Sequence, residues 1–242
     1  MSIKHALRMT AQRFGVEVNR YNAVQSAEAR SFALLDNQRI DTILDVGAND
    51  GGYGRLLRRH GFTGSIISFE PLEKEHEALK AAADADGKWF VAPPMALGSE
   101  NTELEIHVAG NSVSSSILQM NRAHEDAAPE SKYVGVQRVP VRRLDEFSHP
   151  ALAAATRCLL KIDTQGYEMA VLQGAEGLLP RLRGVQLELS LTPLYDGQAL
   201  YLDLIHWLQE RGFELWNVMP AFVDPGSGRL LQLDGVFFRS AD

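Results

Sequence analysis

Cysteine is scarce in this 242-residue chain, and long apolar runs and an excess of basic residues are absent. The single cysteine, Cys158, cannot form an internal disulfide, and its apolar neighbourhood RCLLKID indicates a buried thiol in a reducing compartment. No stretch approaches the roughly 20 apolar residues that span a bilayer, so no membrane insertion is expected. The basic N-terminal segment lacks the apolar core of a secretion signal, and we therefore expect a cytoplasmic protein.

The charge balance is acidic, with 24 Lys and Arg against 31 Asp and Glu and a net charge of -7. Because nucleic-acid backbones are bound mainly through Lys and Arg, we expect no nucleic-acid partner. The composition, 45% hydrophobic and 23% charged, is typical of an ordered globular protein. The oligomeric state stays open at this point.

From residue 41 onward, short apolar runs alternate with helical patterns, which predicts an α/β fold with a mostly parallel sheet covered on both faces. Strands are predicted at residues 42–46, 65–69, 88–92, 158–163, 185–190, 213–218 and 230–238. Helices are predicted at residues 52–60, 72–83, 167–181 and 198–211. The turn signal PGSG separates the last two strands, so we expect an antiparallel C-terminal hairpin to complete the seven-stranded sheet.

Two regions depart from this alternation. Residues 103–108 and 134–141 alternate with a period of two, which predicts extra strands in the middle of the chain, joined by a long polar loop. Residues 1–40 have a helical pattern instead. We therefore expect a helical N-terminal extension over residues 1–40, serving as a lid or packing element, and one domain over residues 41–242.

A glycine-rich segment, DVGANDGGYG, follows the first predicted strand at residues 45–54. A dinucleotide fingerprint would need a glycine where Asn49 stands, and the lysine of a phosphate-binding loop is missing. Asp45 and Asp50 make the loop acidic, which suits a cationic or zwitterionic ligand. A plain strand-to-helix turn that needs glycine for a positive φ is the alternative.

Glu70 ends the second predicted strand in ISFEP, 23 residues after Gly47. In nucleotide-binding α/β folds, an acidic side chain at this position accepts hydrogen bonds from ribose hydroxyls. The D-x-G-x-x-x-G pattern and ISFEP together resemble S-adenosylmethionine-dependent methyltransferases of the Rossmann-like class I fold. In that class the first loop surrounds the methionine part of the cofactor, and the acid after the second strand holds the ribose.

Motifs in the second half of the chain resemble one particular family within this class of methyltransferases. LLKIDTQGYEMAVLQGA at residues 159–175, with RRLDEF upstream, resembles the FkbM family of methyltransferases, whose pattern is K-I-D-x-E-G-x-E followed by V-L-x-G-A. Gln165 stands where that family usually has glutamate. The segments ALG, VQLELS, PLYDGQ and QLDGVFF and the serines at 114–116 agree with the family, so the resemblance covers residues 41–239.

The FkbM resemblance implies S-adenosyl-L-methionine as cofactor and O-methylation of a sugar, a polyketide or a related small molecule. It implies a cofactor site formed by Asp45, Gly47, Asn49, Asp50, Gly51, Glu70 and Ala96. Two alternatives remain open: an NAD(P)-dependent oxidoreductase on a Rossmann fold, and a cofactor-binding module without catalysis. Asn49 in place of the middle glycine argues against the first, and the departure at Gln165 is the only hint of the second.

Asp163 and Glu188 are the predicted catalytic residues, because an alcohol needs a base as it is methylated and ligands bind at the carboxyl ends of parallel strands. Asp163 could instead cap the following helix. Glu188 could be a buried acid satisfied by Lys161 or by a backbone amide. Two carboxylates also suit a divalent cation, but no clustered acidic pair supports one and no metal is predicted.

Three further residues are weaker candidates for the acceptor side. His124 lies in the polar loop and could act as a base toward the substrate. Tyr195 and Tyr201 lie in PLYDGQALY, a stretch that the family resemblance places near the acceptor. For the two tyrosines, ordinary loop and helix packing is the alternative.

Overall fold

The computed structural model of the protein describes residues 3–240. The first two residues of the predicted extension (1 and 2) and the last two of the predicted domain (241 and 242) lie outside the described residues. The strands are β1 Thr42–Val46, β2 Ser65–Phe69, β3 Trp89–Val91, β4 Ala96–Leu97, β5 Thr102–Ala109, β6 Tyr133–Arg142, β7 Cys158–Ile162, β8 Leu182–Ser190, β9 Phe213–Val223 and β10 Leu230–Arg239. The helices are α1 Ile3–Arg13, α2 Ala27–Asn37, α3 Gly52–Arg59, α4 Glu73–Ala83, α5 Arg122–Ala127, α6 Pro150–Ala154, α7 Glu168–Gly174 and α8 Tyr201–Gln209. Among these described helices, none has the length and hydropathy needed to cross a membrane.

Seven strands form the main sheet in the order β3-β2-β1-β7-β8-β10-β9. The pairs from β3 to β8 are parallel, and β10 runs antiparallel to both β8 and β9. The predicted mostly parallel, Rossmann-like sheet with an antiparallel C-terminal hairpin is thus confirmed. The chain order along the sheet reverses between β1 and β7, and open α/β sheets bind ligands beside such a reversal.

The extra strands in the middle of the chain form a separate sheet. Its order is β4-β6-β5, with β4 parallel and β5 antiparallel to β6. The inward side chains of this sheet pack in a small core that includes Leu72, Ile106 and Val141. The small sheet therefore has its own apolar contacts and adds no strand to the main one.

Apolar layers cover both faces of the main sheet. Every residue of β1 and β7 is buried. Ile43 and Leu159 face one core, whereas Leu44 and Leu160 face the other, as expected from the alternation of side chains along a strand. Burying a side chain of this size stabilises the fold by about 1.5–3 kcal/mol, which explains why these strands are continuously apolar.

Several boundaries differ from the sequence predictions. The helix predicted at 167–181 is shorter in the structure: α7 ends at Gly174, and residues 179–181 form a separate 3-10 helix. Residue 174 must be glycine because a Cβ there would lie 1.9 Å from the carbonyl oxygen of Gly98. The polar loop contains α5, and residues 14–26 between α1 and α2 are not helical.

The helix α2 of the N-terminal region contacts the edge of the main sheet. Arg30 Nη1 donates to Oδ1 of Asn217 on β9 at 2.9 Å, and Asn217 Nδ2 donates to Oγ of Ser31 at 2.9 Å. These bonds fix α2 against β9. A division into a lid or packing element over residues 1–40 and a domain over 41–242 stays a prediction.

Candidate active site

A cavity opens at the carboxyl ends of β1, β2 and β7. It encloses about 700 Å³ of empty space when the open mouth is included. Its walls come from the loops that follow these three strands and from residues 112–117. Five of the predicted site residues line it together: Gly47, Asn49, Glu70, Ala96 and Asp163.

The first loop can take its shape only because residue 47 is glycine. Gly47 has a φ of +73°, and a Cβ at this position would lie 1.8 Å from the backbone oxygen of Asp163. The N–H groups of Gly47 and Ala48 both donate to the carbonyl oxygen of Phe69 at 3.1 Å. Asn49 also has a positive φ, +47°, which asparagine tolerates better than most residues. The loop after β1 therefore lies directly on the ends of β2 and β7.

Glu70 holds this loop from the second strand. Its Oε2 accepts the backbone N–H of Asn49 at 2.8 Å, and its Oε1 accepts that of Leu72 at 2.9 Å. Burial raises the pKa of Glu70 to about 7, and the two backbone hydrogen bonds offset only part of that shift. Each carboxyl oxygen keeps a lone pair for a further donor in the cavity.

A buried lysine lies beneath the cavity. Lys161 Nζ is 3.1 Å from Oδ1 of Asp45 and 3.5 Å from Oδ2 of Asp163, and it donates to the carbonyl oxygen of Gly47 at 3.3 Å. Burial alone would lower the pKa of Lys161, but the carboxylates of Asp45 and Asp163 outweigh it and the net shift is upward. The lysine is thus a fixed cation that connects β1 to β7.

Asp163 and Glu188 are joined by the side chain of Gln165. Gln165 Nε2 donates to Oδ1 of Asp163 at 3.0 Å and to Oε2 of Glu188 at 2.7 Å. Gln232 Nε2 also donates to Oε2 of Glu188, at 3.2 Å. Burial raises the pKa of Glu188 well above its ordinary value, and the nearby acids Asp163 and Glu168 raise it further. Glu188 is thus satisfied by two glutamine amides, and neither Lys161 nor a backbone amide is its hydrogen-bond partner.

The serine-rich segment at residues 112–117 forms a further wall of the cavity and is bonded to the glycine loop. Ser112, which has a φ of +52°, accepts a hydrogen bond from Asn49 Nδ2 at 3.2 Å. Ser116 Oγ donates to the backbone oxygen of Gln165 at 2.6 Å. Two side-chain bonds therefore attach this segment to the loops after β1 and β7.

The other predicted residues do not line the cavity. Asp45 lies below the loop and pairs with Lys161. Glu188 is hydrogen-bonded to Gln165, which does line the cavity. Asp50 is exposed and pairs with Arg55 at 2.8 Å, while its Oδ1 accepts the N–H of Gly52. Gly51 packs against Leu79 and Trp89 and does not line the cavity. The same is true of His124, Tyr195 and Tyr201, which are also absent from the cavity walls.

His124 and Tyr195 are packed together away from the cavity. Their rings meet edge to face with centroids 5.3 Å apart, and burial lowers the pKa of His124. The Tyr195 hydroxyl donates to Oε1 of Gln165 at 2.9 Å. Tyr195 therefore supports the site through Gln165, and His124 packs behind it.

A match to a protein-family profile identifies the family of this chain. The sequence profile of the methyltransferase FkbM domain matches residues 45–215, well over half of the chain. The chain belongs to the FkbM methyltransferase domain family. The match begins at Asp45, so the FkbM domain includes the walls of the cavity and extends into β9.

Solved structures of other methyltransferases resemble the FkbM domain at low sequence identity. A magnesium protoporphyrin IX methyltransferase from Synechocystis PCC 6803 with bound SAM has 11% identity, with 99% of this chain and 98% of that chain covered and a TM-score of 0.47. A proposed RNA methyltransferase from Pyrococcus horikoshii has 14% identity, coverages of 89% and 84%, and a TM-score of 0.47. A proposed S-adenosylmethionine-dependent methyltransferase from Listeria monocytogenes has 9% identity, coverages of 89% and 99%, and a TM-score of 0.48. A comparison with curated proteins gives no match.

Two features of the FkbM domain site could not be predicted from the sequence. The sequence gives no signal that Lys161 faces Asp45, because the pair depends on the register between β1 and β7. Glu168 Oε1 accepts two hydrogen bonds from Thr164 and one from the N–H of Gly166, and this turn has no signature in the sequence. Across residues 3–240, no group of three His, Cys, Asp or Glu side chains has the arrangement of a metal site.

Proposed function

We propose that this FkbM domain uses S-adenosyl-L-methionine to methylate a hydroxyl group of a sugar, a polyketide or a related small molecule in the cytoplasm. The observation that carries the proposal is the single cavity shared by Gly47, Glu70 and Asp163 at the carboxyl ends of β1, β2 and β7. When bound, S-adenosylmethionine supplies a methyl group on a positively charged sulfur. The residues around the cavity supply the binding groups and a proton acceptor.

The side chains in the cavity fit the parts of this cofactor. Glu70 faces the cavity with lone pairs available to ribose hydroxyls. Met95, Ala96 and Leu97 line the cavity with apolar surface, which suits a nucleobase. Asp163 presents a carboxylate that is 39% exposed, which suits an ammonium or sulfonium charge. Asp45 supports this site from below by holding Lys161.

Of the two predicted catalytic carboxylates, Asp163 is the better proton acceptor. It lines the cavity, its side chain is 39% exposed, and its Oδ2 lies 3.5 Å from the Lys161 ammonium. Glu188 does not line the cavity, and its raised pKa favours the protonated form. We therefore assign the proton acceptor to Asp163 and a supporting role to Glu188. Alignment of the acceptor with the methyl group contributes the rest of the acceleration.

Methyl transfer from labelled S-adenosylmethionine tests this proposal. Purified protein is incubated with the labelled cofactor and with separate pools of sugars, polyketides and transfer RNA. Label is expected in a hydroxylated small molecule, and Asp163→Asn should slow the transfer by about 100-fold or more, as loss of a general base does. Label in RNA alone would contradict the acceptor class, and transfer that Asp163→Asn leaves unchanged would contradict the assignment of the base.

A further inference from the structure

Gln165 lies at the centre of a hydrogen-bond network whose amide orientation is fixed. Its Nε2 donates to Asp163 and Glu188 at 3.0 and 2.7 Å, and its Oε1 accepts from the Tyr195 hydroxyl at 2.9 Å. An amide NH2 has two protons and accepts nothing, so the two carboxylates use both protons. The reversed amide would place its oxygen against both carboxylates. The bonds therefore determine which end of the amide faces the acids.

The backbone of Gln165 is held as firmly as its side chain. Its φ is +55°, a conformation uncommon outside glycine. The carbonyl oxygen accepts from Ser116 Oγ at 2.6 Å, which attaches residue 165 to the serine-rich wall of the cavity. Ser116 and Tyr195 thus hold Gln165 from two sides.

Charged and titratable groups surround the two acids that Gln165 joins. Glu188 on β8 interacts electrostatically with Asp163 after β7, Glu168 on α7 and Asp234 on β10, and Lys161 is the cation that opposes these acids. The Tyr195 phenol, which contacts Gln165, also interacts with the phenol of Tyr133. A neutral donor between two carboxylates stabilises their charged forms without adding to the negative charge. A glutamate at residue 165 would instead place a third carboxylate within hydrogen-bond distance of two others.

We propose that Gln165 is a positioning residue for the methyl transfer: its neutral amide holds Asp163 and Glu188 side by side and keeps Asp163 available as the proton acceptor. This inference rests on the proposed function. It gives a physical reason for the departure from the glutamate that the family pattern has at this position. Carboxylates at such distances share protons, so a glutamate at residue 165 would compete with its neighbours for them.

The substitution Gln165→Glu tests the inference, with Gln173→Glu on the exposed face of α7 as a control that adds the same charge. The measurement is the titration of Glu188, followed by carbon NMR in protein labelled at the glutamate carboxyl carbon and assigned with Glu188→Gln. Gln165→Glu is expected to raise the pKa of Glu188 further by about one unit or more, because two like charges would be adjacent. Gln173→Glu is expected to leave it within about 0.3 units, because exposed charges at a distance are screened. Gln165→Glu is also expected to lower kcat for methyl transfer with little change in KM, whereas Gln173→Glu should leave both unchanged. Equal titration of Glu188, or an equal kcat, in the native protein and in Gln165→Glu would overturn the proposal.

A second substitution keeps the test decisive if Gln165→Glu does not fold. Gln165→Met removes the donated hydrogen bonds without adding charge, so the pKa of Glu188 should again rise, by less than in Gln165→Glu. An unchanged pKa in Gln165→Met would also overturn the proposal. Calorimetry with S-adenosylhomocysteine on the native protein distinguishes failure of the proposed function from failure of the role given to Gln165. If the native protein does not bind S-adenosylhomocysteine, the proposed function is wrong. If it binds but the pKa of Glu188 is the same in the variants, only the role of Gln165 is wrong.

Discussion

The backbone N–H of Asn49 donates to Oε2 of Glu70 at 2.8 Å, and this bond connects the glycine-rich loop after β1 to the end of β2. Glu70 also accepts the N–H of Leu72, so one carboxylate orders the loops after two strands. Both loops line the same cavity. Loss of Glu70 should therefore affect the shape of the site as well as any direct contact with a ligand.

Glu70→Ala is expected to weaken the binding of S-adenosylhomocysteine by roughly 10- to 100-fold, because hydrogen bonds to charged groups contribute about 1.5–3 kcal/mol each. Isothermal titration calorimetry measures the affinity. Glu73→Ala is the matched control, because Glu73 is an exposed acid on α4 three residues away. Equal affinities of the two variants would contradict the role given to Glu70.

Gly47→Ala is expected to destabilise the protein by more than Gly61→Ala does. Both glycines have a positive φ, +73° and +85°, but a Cβ at Gly47 would lie 1.8 Å from the Asp163 oxygen, whereas at Gly61 nothing lies within 4 Å. Backbone strain alone accounts for about 1–2 kcal/mol in each variant, and the clash adds to it only at Gly47. Urea unfolding of the two variants measures the difference, and equal losses would contradict the close contact between the loops.

Lys161→Met should cost about 3–5 kcal/mol of unfolding free energy, because it leaves the fully buried Asp45 without its cation. Adding Asp45→Asn removes the uncompensated charge, so the double variant should be more stable than Lys161→Met alone. Urea denaturation of the native protein, both single variants and the double variant gives the coupling energy. Additive effects would show that the ion pair contributes no specific stability.

Glu168→Gln is expected to change how stability depends on pH. Burial raises the pKa of Glu168 to about 7, so the stability contribution of its protonated form is fully present below the ordinary glutamate pKa and is lost as the pH rises through about 7. Glutamine retains an oxygen for the three bonds that Oε1 accepts and cannot ionise. The free energy of unfolding of the variant should therefore exceed that of the native protein by about 1–3 kcal/mol near pH 8 and match it near pH 4.

Urea unfolding at both pH values tests this expectation. The exposed residue Glu77 on α4 supplies the control, Glu77→Gln, which should leave the pH dependence unchanged. A difference between Glu168→Gln and the native protein that stays constant with pH would contradict the buried titration of Glu168.

The main sheet was predictable because its strands are short, apolar and separated by helical patterns. The TILDV and SIISF strands have the predicted bounds, and the PGSG turn indicated the C-terminal hairpin. Gly47 and Glu70 could be placed in one site because residues that end neighbouring parallel strands meet at one edge of the sheet. A sequence motif therefore predicts which residues share a site when its residues lie at the ends of neighbouring strands.

Contacts between distant segments could not be predicted in the same way. The bond between Asn49 and Ser112 joins residues that the sequence pattern leaves unrelated, and both residues have a positive φ that the sequence does not indicate. The network around Gln165 depends on the register of β7 and β8 and on the position of Tyr195. The predicted helix at 167–181 was too long, because the sequence pattern does not distinguish one continuous helix from α7 followed by a turn and a 3-10 helix at residues 179–181.

A crystal structure of the protein with S-adenosylhomocysteine bound would show where the methyl-transfer site lies. We expect the ribose hydroxyls on the Glu70 carboxylate, the adenine against Ala96 and the sulfur on the side of the cavity where Asp163 lies. A ligand bound away from the loop that contains Gly47, or a sulfur remote from Asp163, would show that this cavity is not the methyl-transfer site.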